Sequence, residues 1–302
     1  MISFSNEAGG AAWPWGGFSI GFRRAHVEWQ RDLGALCNWA KESGFESLDF
    51  THPATADDFG TLAKAGLALG SVDILEFQHV MSSDPGRRKD VLEKNLKFIK
   101  DAAAAGAKKF FTCIIPGEPS QTRAENYRLA VECFAPLAHA CASADASLAI
   151  EGWPGGPPHY ANLCCTPETV RQLLKDVGRG VGVNYDPSHL VRLRVDPIRF
   201  LKEFAEHVKH VHAKDTEVDQ DALYEFGTQP ATFAQPHRWG EWTWRYTLPG
   251  HGLVRWGEIF SVLKQSGYKG AVSVELEDEN FNGSEEGEQR ALLASLAYLR
   301  EV

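Results

Sequence analysis

The chain has 302 residues, is 43% hydrophobic and 24% charged, and carries a formal net charge of -9. That length suits one large α/β domain or two smaller ones and buries a core without staples, while an acidic balance with no dense basic run excludes a general nucleic-acid surface. No run approaches the ~18 apolar residues of a membrane span, no positive region marks a signal peptide, and the six scattered cysteines, without a C-x-x-C pair, fit reduced thiols in a cytoplasmic protein.

In chain order, Ile2 to Ser5 reads as a first strand, followed by a Gly- and Trp-rich loop containing Trp13 and Trp15. A helical pattern runs from Trp29 to Lys41, with Gly44 as its stop. Glu46 to Phe50 forms a second strand, Ala54 to Ala65 a short helix, and Leu67 to Leu75 a third strand. Arg88 to Ala105 repeats Leu92, Leu96, Ile99 and Ala103 on one helical face, and Lys109 to Ile115 is the fourth strand. The helix Thr122 to Ala142 leads into the fifth strand, Ser147 to Glu151. Thr166 as N-cap and Pro167 at the first helical position open a helix ending at Val177. The sixth strand follows from Val181 and is halted by Pro187, which lacks an N–H for the ladder. Pro197 to Phe204 is helical, Val208 to His212 is the seventh strand, and a long loop covers Thr216 to Gly252. Trp256 to Gln265 is a helix, Ala271 to Glu275 the eighth strand, and Glu285 to Leu299 a closing helix.

Strands that alternate with helices call for a parallel sheet covered by helices. Eight such units fit a (β/α)₈ barrel occupying residues 1–302 as one domain, with an open doubly wound sheet as the alternative. No G-x-G-x-x-G follows the first strand, which disfavours a dinucleotide-binding sheet. The segment between the seventh strand and the next helix is too rich in Trp, Phe and Tyr to be a tether, and a long ordered loop in a compact domain is usually functional.

Four strands end in metal-competent residues: Glu151, Asp186, His212 and Glu275. Alternation pairs Ala149 with Glu151, Asn184 with Asp186, His210 with His212, and Ser273 with Glu275 on one face of each strand. If that face points inward, the four meet at the barrel mouth, where carboxylates repel one another unless a cation is present. Three carboxylates and an imidazole suit one divalent ion, with Mn²⁺ expected and Mg²⁺, Co²⁺ or Zn²⁺ as alternatives. Each residue also has a plain reading: Glu151 as a solvated strand end, His212 as a satisfied core histidine, and Glu275 as part of the acidic run Glu275, Glu277, Asp278, Glu279.

The segments Ala149-Ile150-Glu151, Tyr185-Asp186-Pro187-Ser188-His189-Leu190, His210-Val211-His212-Ala213-Lys214-Asp215-Thr216, Pro249-Gly250-His251-Gly252 before Trp256, and Gly267-Tyr268-Lys269-Gly270 before Ser273-Val274-Glu275 occur in order. With them the chain resembles the xylose-isomerase-like superfamily of sugar and sugar-phosphate isomerases and epimerases. The resemblance implies a (β/α)₈ barrel with one divalent metal on Glu151, Asp186, His212 and Glu275. It implies that His189 and Lys214 lie near substrate or metal-bound water, and that Glu151 and Glu275 exchange a proton with a substrate carbon. The substrate is then a small sugar or polyol. A dehydratase of a keto-polyol is a neighbouring activity, and a non-catalytic sugar-binding barrel is the reading of another class.

Arg245, Trp153 and His79 are further candidates for substrate contact, as are Asp49 and His159. Trp239, Trp242 and Trp244 read as a lid or pocket wall, or as residues that bury the loop on the barrel. An abasic-site endonuclease on the same fold needs extra histidines on the third and fourth strands; the fourth ends Thr112-Cys113-Ile114-Ile115-Pro116, without one. A homo-oligomer, dimer or tetramer, is compatible with such a barrel.

Overall fold

Most βα units are punctuated by their own capping chemistry. Asp32, Thr55, Asp84, Thr122 and Ser284 accept hydrogen bonds from first-turn N–H groups of the helices that follow them, which satisfies donors that have no partner inside the helix. Gly44 and Gly66, at φ 94° and 72°, end the first two helices in the left-handed conformation. Thr166 stands at its N-cap position, but its side chain makes no capping bond there.

The computed structural model describes residues 17–51, 54–156 and 160–302. The elements are β1 (Ile20–Arg23), α1 (Leu33–Ser43), β2 (Ser47–Phe50), α2 (Ala56–Ala65), β3 (Ala68–Asp73), α3 (Pro85–Ala104), β4 (Lys109–Cys113), α4 (Arg123–Ser143), β5 (Ser147–Glu151), α5 (Pro167–Val177), β6 (Val181–Tyr185), α6 (Pro187–Arg192), α7 (Pro197–Phe204), β7 (Val208–Ala213), β8 (Asp215–Val218), α8 (Gln220–Phe226), β9 (Trp244–Thr247), α9 (Trp256–Gln265), β10 (Val272–Val274) and α10 (Glu285–Glu301). The closed barrel runs β1-β10-β7-β6-β5-β4-β3-β2, with β8 and β9 as a separate two-stranded sheet. Its neighbouring strands are all parallel, so this is a (β/α)₈ barrel rather than an open sheet.

Two expectations change here. The proposed first strand, Ile2 to Ser5, lies outside the described residues, and β1, in the stretch read as loop, closes the barrel by pairing with both β10 and β2. Within it Phe22 packs outward, its ring 5.8 Å from Trp39 and 4.8 Å from Phe45, which turns Gly21 and Arg23 inward. Gly21 is required by a close approach, because a Cβ there would sit 2.1 Å from Ser47 Oγ and 2.5 Å from the Ser47 carbonyl oxygen. Second, Thr216 to Gly252 is not a plain loop. It carries α8 and an antiparallel hairpin registered Asp215 to Thr247 through Val218 to Trp244.

Gly21→Ala should lower the urea midpoint by the equivalent of about 1–3 kcal/mol, the usual cost of forcing extra atoms into a packed wall. Gly60→Ala, on α2 where a Cβ meets nothing within 4 Å, should leave the midpoint unchanged or raise it. Equal responses of the two variants would contradict this packing account.

Candidate active site

The carboxyl ends of β5, β6, β7 and β10 converge. Glu151 ends β5, Asp186 follows β6 as the N-cap of α6, His212 lies on β7, and Glu275 follows β10. Their ligand atoms all lie within 4.8 Å of one another. His212 Nδ1 is 2.7 Å from Glu151 Oε2 and 3.5 Å from Glu275 Oε2. His189 Nε2 is 3.2 Å from Glu151 Oε1 and 3.3 Å from Asp186 Oδ2. Lys214 Nζ lies 2.6 Å from Glu275 Oε2, 3.0 Å from Glu277 Oε2 and 3.2 Å from Asp186 Oδ2.

This clustering is electrostatically expensive and shifts the acid strength of its members. Burial opposes the imidazolium form of His212, yet Glu275 and Glu151 outweigh it and raise the group well above the ordinary histidine range. Burial likewise opposes the Lys214 ammonium, and Glu275, Glu277 and Asp186 more than reverse that. Burial alone would raise Glu275; Lys214 and His212 hold it well below the carboxylate range. The set fits a divalent cation on two counts: its donors are three carboxylates and an imidazole, and Asp186 Oδ2 is buried with Lys214 and His189 at ion-pair distance but no hydrogen bond of good geometry.

A second layer holds these side chains. Asn184 Nδ2 donates to Glu151 Oε2 at 2.6 Å. The Tyr246 hydroxyl is 2.7 Å from His189 Nδ1, and its ring lies 4.5 Å from the Lys214 ammonium. Arg23 makes a bidentate pair with Asp73, both contacts at 2.7 Å, and reaches Glu275 Oε1 at 3.1 Å. Asp49, fully buried, accepts from Ser71 N at 2.9 Å; its other oxygen is 2.7 Å from His210 Nε2 and 3.5 Å from His212 Nε2. Gly70 leaves room for this carboxylate, since a Cβ there would meet Asp49 Oδ1 at 1.8 Å.

Several sequence candidates lie elsewhere. Arg245 pairs with Glu217 at 2.7 Å and Asp278 at 3.3 Å. His79 ends a short 3₁₀ turn after β3 and is half-buried. Trp153 borders a separate hollow with Phe77 and Ile115. Among the described residues none of these three makes a hydrogen bond or ion pair with the four converging side chains. Asp49 sits behind His212 rather than facing the mouth. Trp242 donates to the Ala234 carbonyl, and Trp244 is buried. His159 lies outside the described residues. Sequence reasoning missed Arg23, Asp73, Tyr246 and Glu277. The first followed from misplacing β1, and the last from reading the acidic run as solvated, although Glu277 turns back onto Lys214.

The model of the xylose isomerase-like TIM barrel family matches residues 37–302, and the chain belongs to that family. Over 127 residues it is 39% identical to the uncharacterized protein YfiH of Bacillus subtilis, covering 39% of this chain and 38% of that protein. Over 99 residues it is 32% identical to an inosose dehydratase of Bacillus cereus, covering 33% of this chain and 31% of that one. The chain thus matches only about a third of the length of these curated relatives. Among solved structures it is similar to 3-keto-D-glucoside 4-epimerase from E. coli, with a TM-score of 0.70, 15% identity, and coverage of 94% of this chain and 100% of that one. It is also similar to D-psicose 3-epimerase from Clostridium cellulolyticum, with a TM-score of 0.65, 16% identity, and coverage of 94% and 99%. A family barrel from Mycobacterium smegmatis in complex with magnesium matches with a TM-score of 0.63, 19% identity, and coverage of 96% and 97%. Among the described residues no helix is long and apolar enough to cross a membrane.

Carboxylates behind a metal-binding imidazole orient it, and their removal typically costs about 10–100-fold in metal affinity. Asp49→Asn should therefore weaken Mn²⁺ binding by a factor in that range, measured by calorimetry, with little loss of secondary structure by circular dichroism. Unchanged affinity would mean that Asp49 only fills the barrel.

Proposed function

We propose that this protein moves a proton at a carbon beside the carbonyl of a sugar or related polyhydroxy ketone, as a metal-dependent isomerase or epimerase. The observation that carries the reading is the meeting of Glu151 and Glu275 in one buried cluster with Asp186, His212 and Lys214. Glu151, Asp186, His212 and Glu275 would hold the cation, which when bound would supply Lewis-acid stabilisation of the charge that develops on an enediolate.

The protein's own groups divide the remaining work. Glu151 and Glu275 form the acid/base pair: one takes the proton from carbon and the other returns one. The contacts of Lys214 and Arg23 with Glu275 keep it in the form that accepts a proton. The Lys214 ammonium and the His189 ring donate to substrate oxygens. Asn184 holds the Glu151 carboxylate in place from the side. Positioned groups of this kind each contribute about 10²–10⁴-fold.

A second reading is dehydration of a keto-polyol, favoured by the segment similar to inosose dehydratase. The same abstraction next to a carbonyl would then expel a β-hydroxyl as water, and the acid would protonate that leaving oxygen. Product analysis separates the two, because an unsaturated or diketo product absorbs in the ultraviolet and an epimer does not.

Incubation of ketohexoses, keto-glycosides and inososes in D₂O with Mn²⁺ should place deuterium at carbon. Glu275→Gln and Glu151→Gln should each slow exchange by about 10²-fold or more, and chelation should abolish it. Exchange that persists undiminished in both variants would sink the acid/base assignment.

Metal binding should also release protons. The raised pKa of His212 means that a cation must displace a proton from Nδ1, so affinity should rise with pH and fall on acidification. Calorimetry in two buffers of different ionisation enthalpy measures this release directly. Binding with no net proton release would remove His212 from the ligand set.

A further inference from the structure

We propose a second small-molecule site, for one neutral pyranose ring, in the hollow between α6 and the segment inserted after β7. The hollow has a volume of about 200 Å³, and none of Glu151, Asp186, His212 or Glu275 lines it. It is smaller than the roughly 300–1,000 Å³ of drug-sized pockets, a size that matches a single ring.

The lining has the two-sided chemistry of a sugar. Val218, Leu223, Trp242 and Trp244 supply apolar and aromatic surface for a ring's C–H face. Glu241 and Arg192 supply planar hydrogen-bonding groups for its hydroxyl rim. The Glu241 side chain is half-buried and has no hydrogen bond or ion pair among the described residues. Arg192 is fixed from two sides. Its Nη2 donates to the Gly155 carbonyl at 2.6 Å, and its guanidinium lies 4.5 Å from the Trp244 ring.

The backbone around the hollow is strained as well. Tyr160, a non-glycine residue on its lining, adopts φ 41°, a conformation that surrounding contacts must enforce. For Tyr160 those contacts include Arg123, which donates to its carbonyl at 2.9 Å. A phosphate is the poorer occupant: the Glu241 carboxylate shares the lining with Arg192 and Arg194, and the lining holds no lysine.

The hollow adjoins the metal-competent cluster through one aromatic step. The Trp244 ring is 5.0 Å from the Tyr246 ring, and the Tyr246 hydroxyl is 2.7 Å from His189. A ring bound there is either the distal unit of a glycoside whose reacting unit reaches the cluster, or a free sugar.

The test uses isothermal titration calorimetry with methyl β-D-glucopyranoside, methyl α-D-galactopyranoside and cellobiose on the full chain, with Mn²⁺ and after chelation. At least one probe should bind to the chelated protein and to Glu275→Gln, and that binding should weaken at least tenfold in Glu241→Gln. Leu253→Arg, which changes a side chain 58% exposed on the hollow's edge and so spares the fold, should weaken it equally. Cellobiose that binds tighter with Mn²⁺ marks the distal ring of a larger substrate; equal binding with and without Mn²⁺ marks a free sugar. No binding by any probe, binding lost on chelation, or binding unchanged in both hollow variants would overturn the site. None of these readouts needs turnover, so the proposal stands or falls apart from the proton-transfer reading.

Discussion

The constraint on which this molecule turns is the crowding of acidic groups at the mouth of the barrel. Glu151, Asp186, Glu275 and Glu277 approach a common region from strands or strand ends that the backbone fixes. Two like charges about 4 Å apart repel by about 4 kcal/mol at the effective dielectric of a protein near its surface. The chain answers with cations of its own. Lys214 sits against Glu275, Glu277 and Asp186, Arg23 reaches Glu275 from the adjacent strand β1, and Glu275 and Glu151 raise the His212 imidazole above its ordinary range. Such an arrangement is poor as a device for stability, because buried ion pairs seldom repay their desolvation. It is the charge balance that the proposed function calls for, since an entering cation would relieve the repulsion.

The same constraint shapes the layer behind the ligands. His212 faces carboxylates through both ring nitrogens, with Glu151 at Nδ1 and Asp49 beyond Nε2. Its ring is thus oriented by carboxylates of the protein itself, the role outer-shell partners would play for the proposed cation. The arrangement extends into backbone: Asp49 fits only because residue 70 is glycine and the Ser71 N–H turns toward it. Positions without reactive groups therefore carry part of the cost of the chemistry at the mouth.

The alternation of strands and helices was legible because most units are long enough to show a period. Pro197–Phe204 and Trp256–Gln265 begin and end where the pattern puts them, since proline, glycine and apolar spacing all agree there. The inward convergence of Glu151 and His212 follows from the same alternation, and the turn forced by Pro187 brings Asp186 with His189. β1 was not legible. Four residues with a glycine among them show no period, and only the long-range pairing with Ser47 and Ser273 makes them a strand. Arg23 and Asp73 vanished with it, because an ion pair 50 residues apart in sequence leaves no local mark. Glu277 was lost for the opposite reason: a local signal, the acidic run, pointed to solvent while Lys214 drew the residue inward.

The hairpin of β8 and β9 joins these themes. Antiparallel pairing fixes Asp215 against Thr247 and Val218 against Trp244, and alternation along β9 buries Trp244 and Tyr246 while leaving Arg245 partly exposed to meet Glu217 and Asp278. Tyr246 thereby becomes the wall that touches both His189 and Lys214. An inserted segment rich in aromatic residues is thus no tether and more than a lid. It supplies a rigid side to the charged cluster and, on its outer face, the indole surface of a neighbouring hollow. In a fold whose strands fix the reactive groups, differences in what is bound are free to arise in such an insertion.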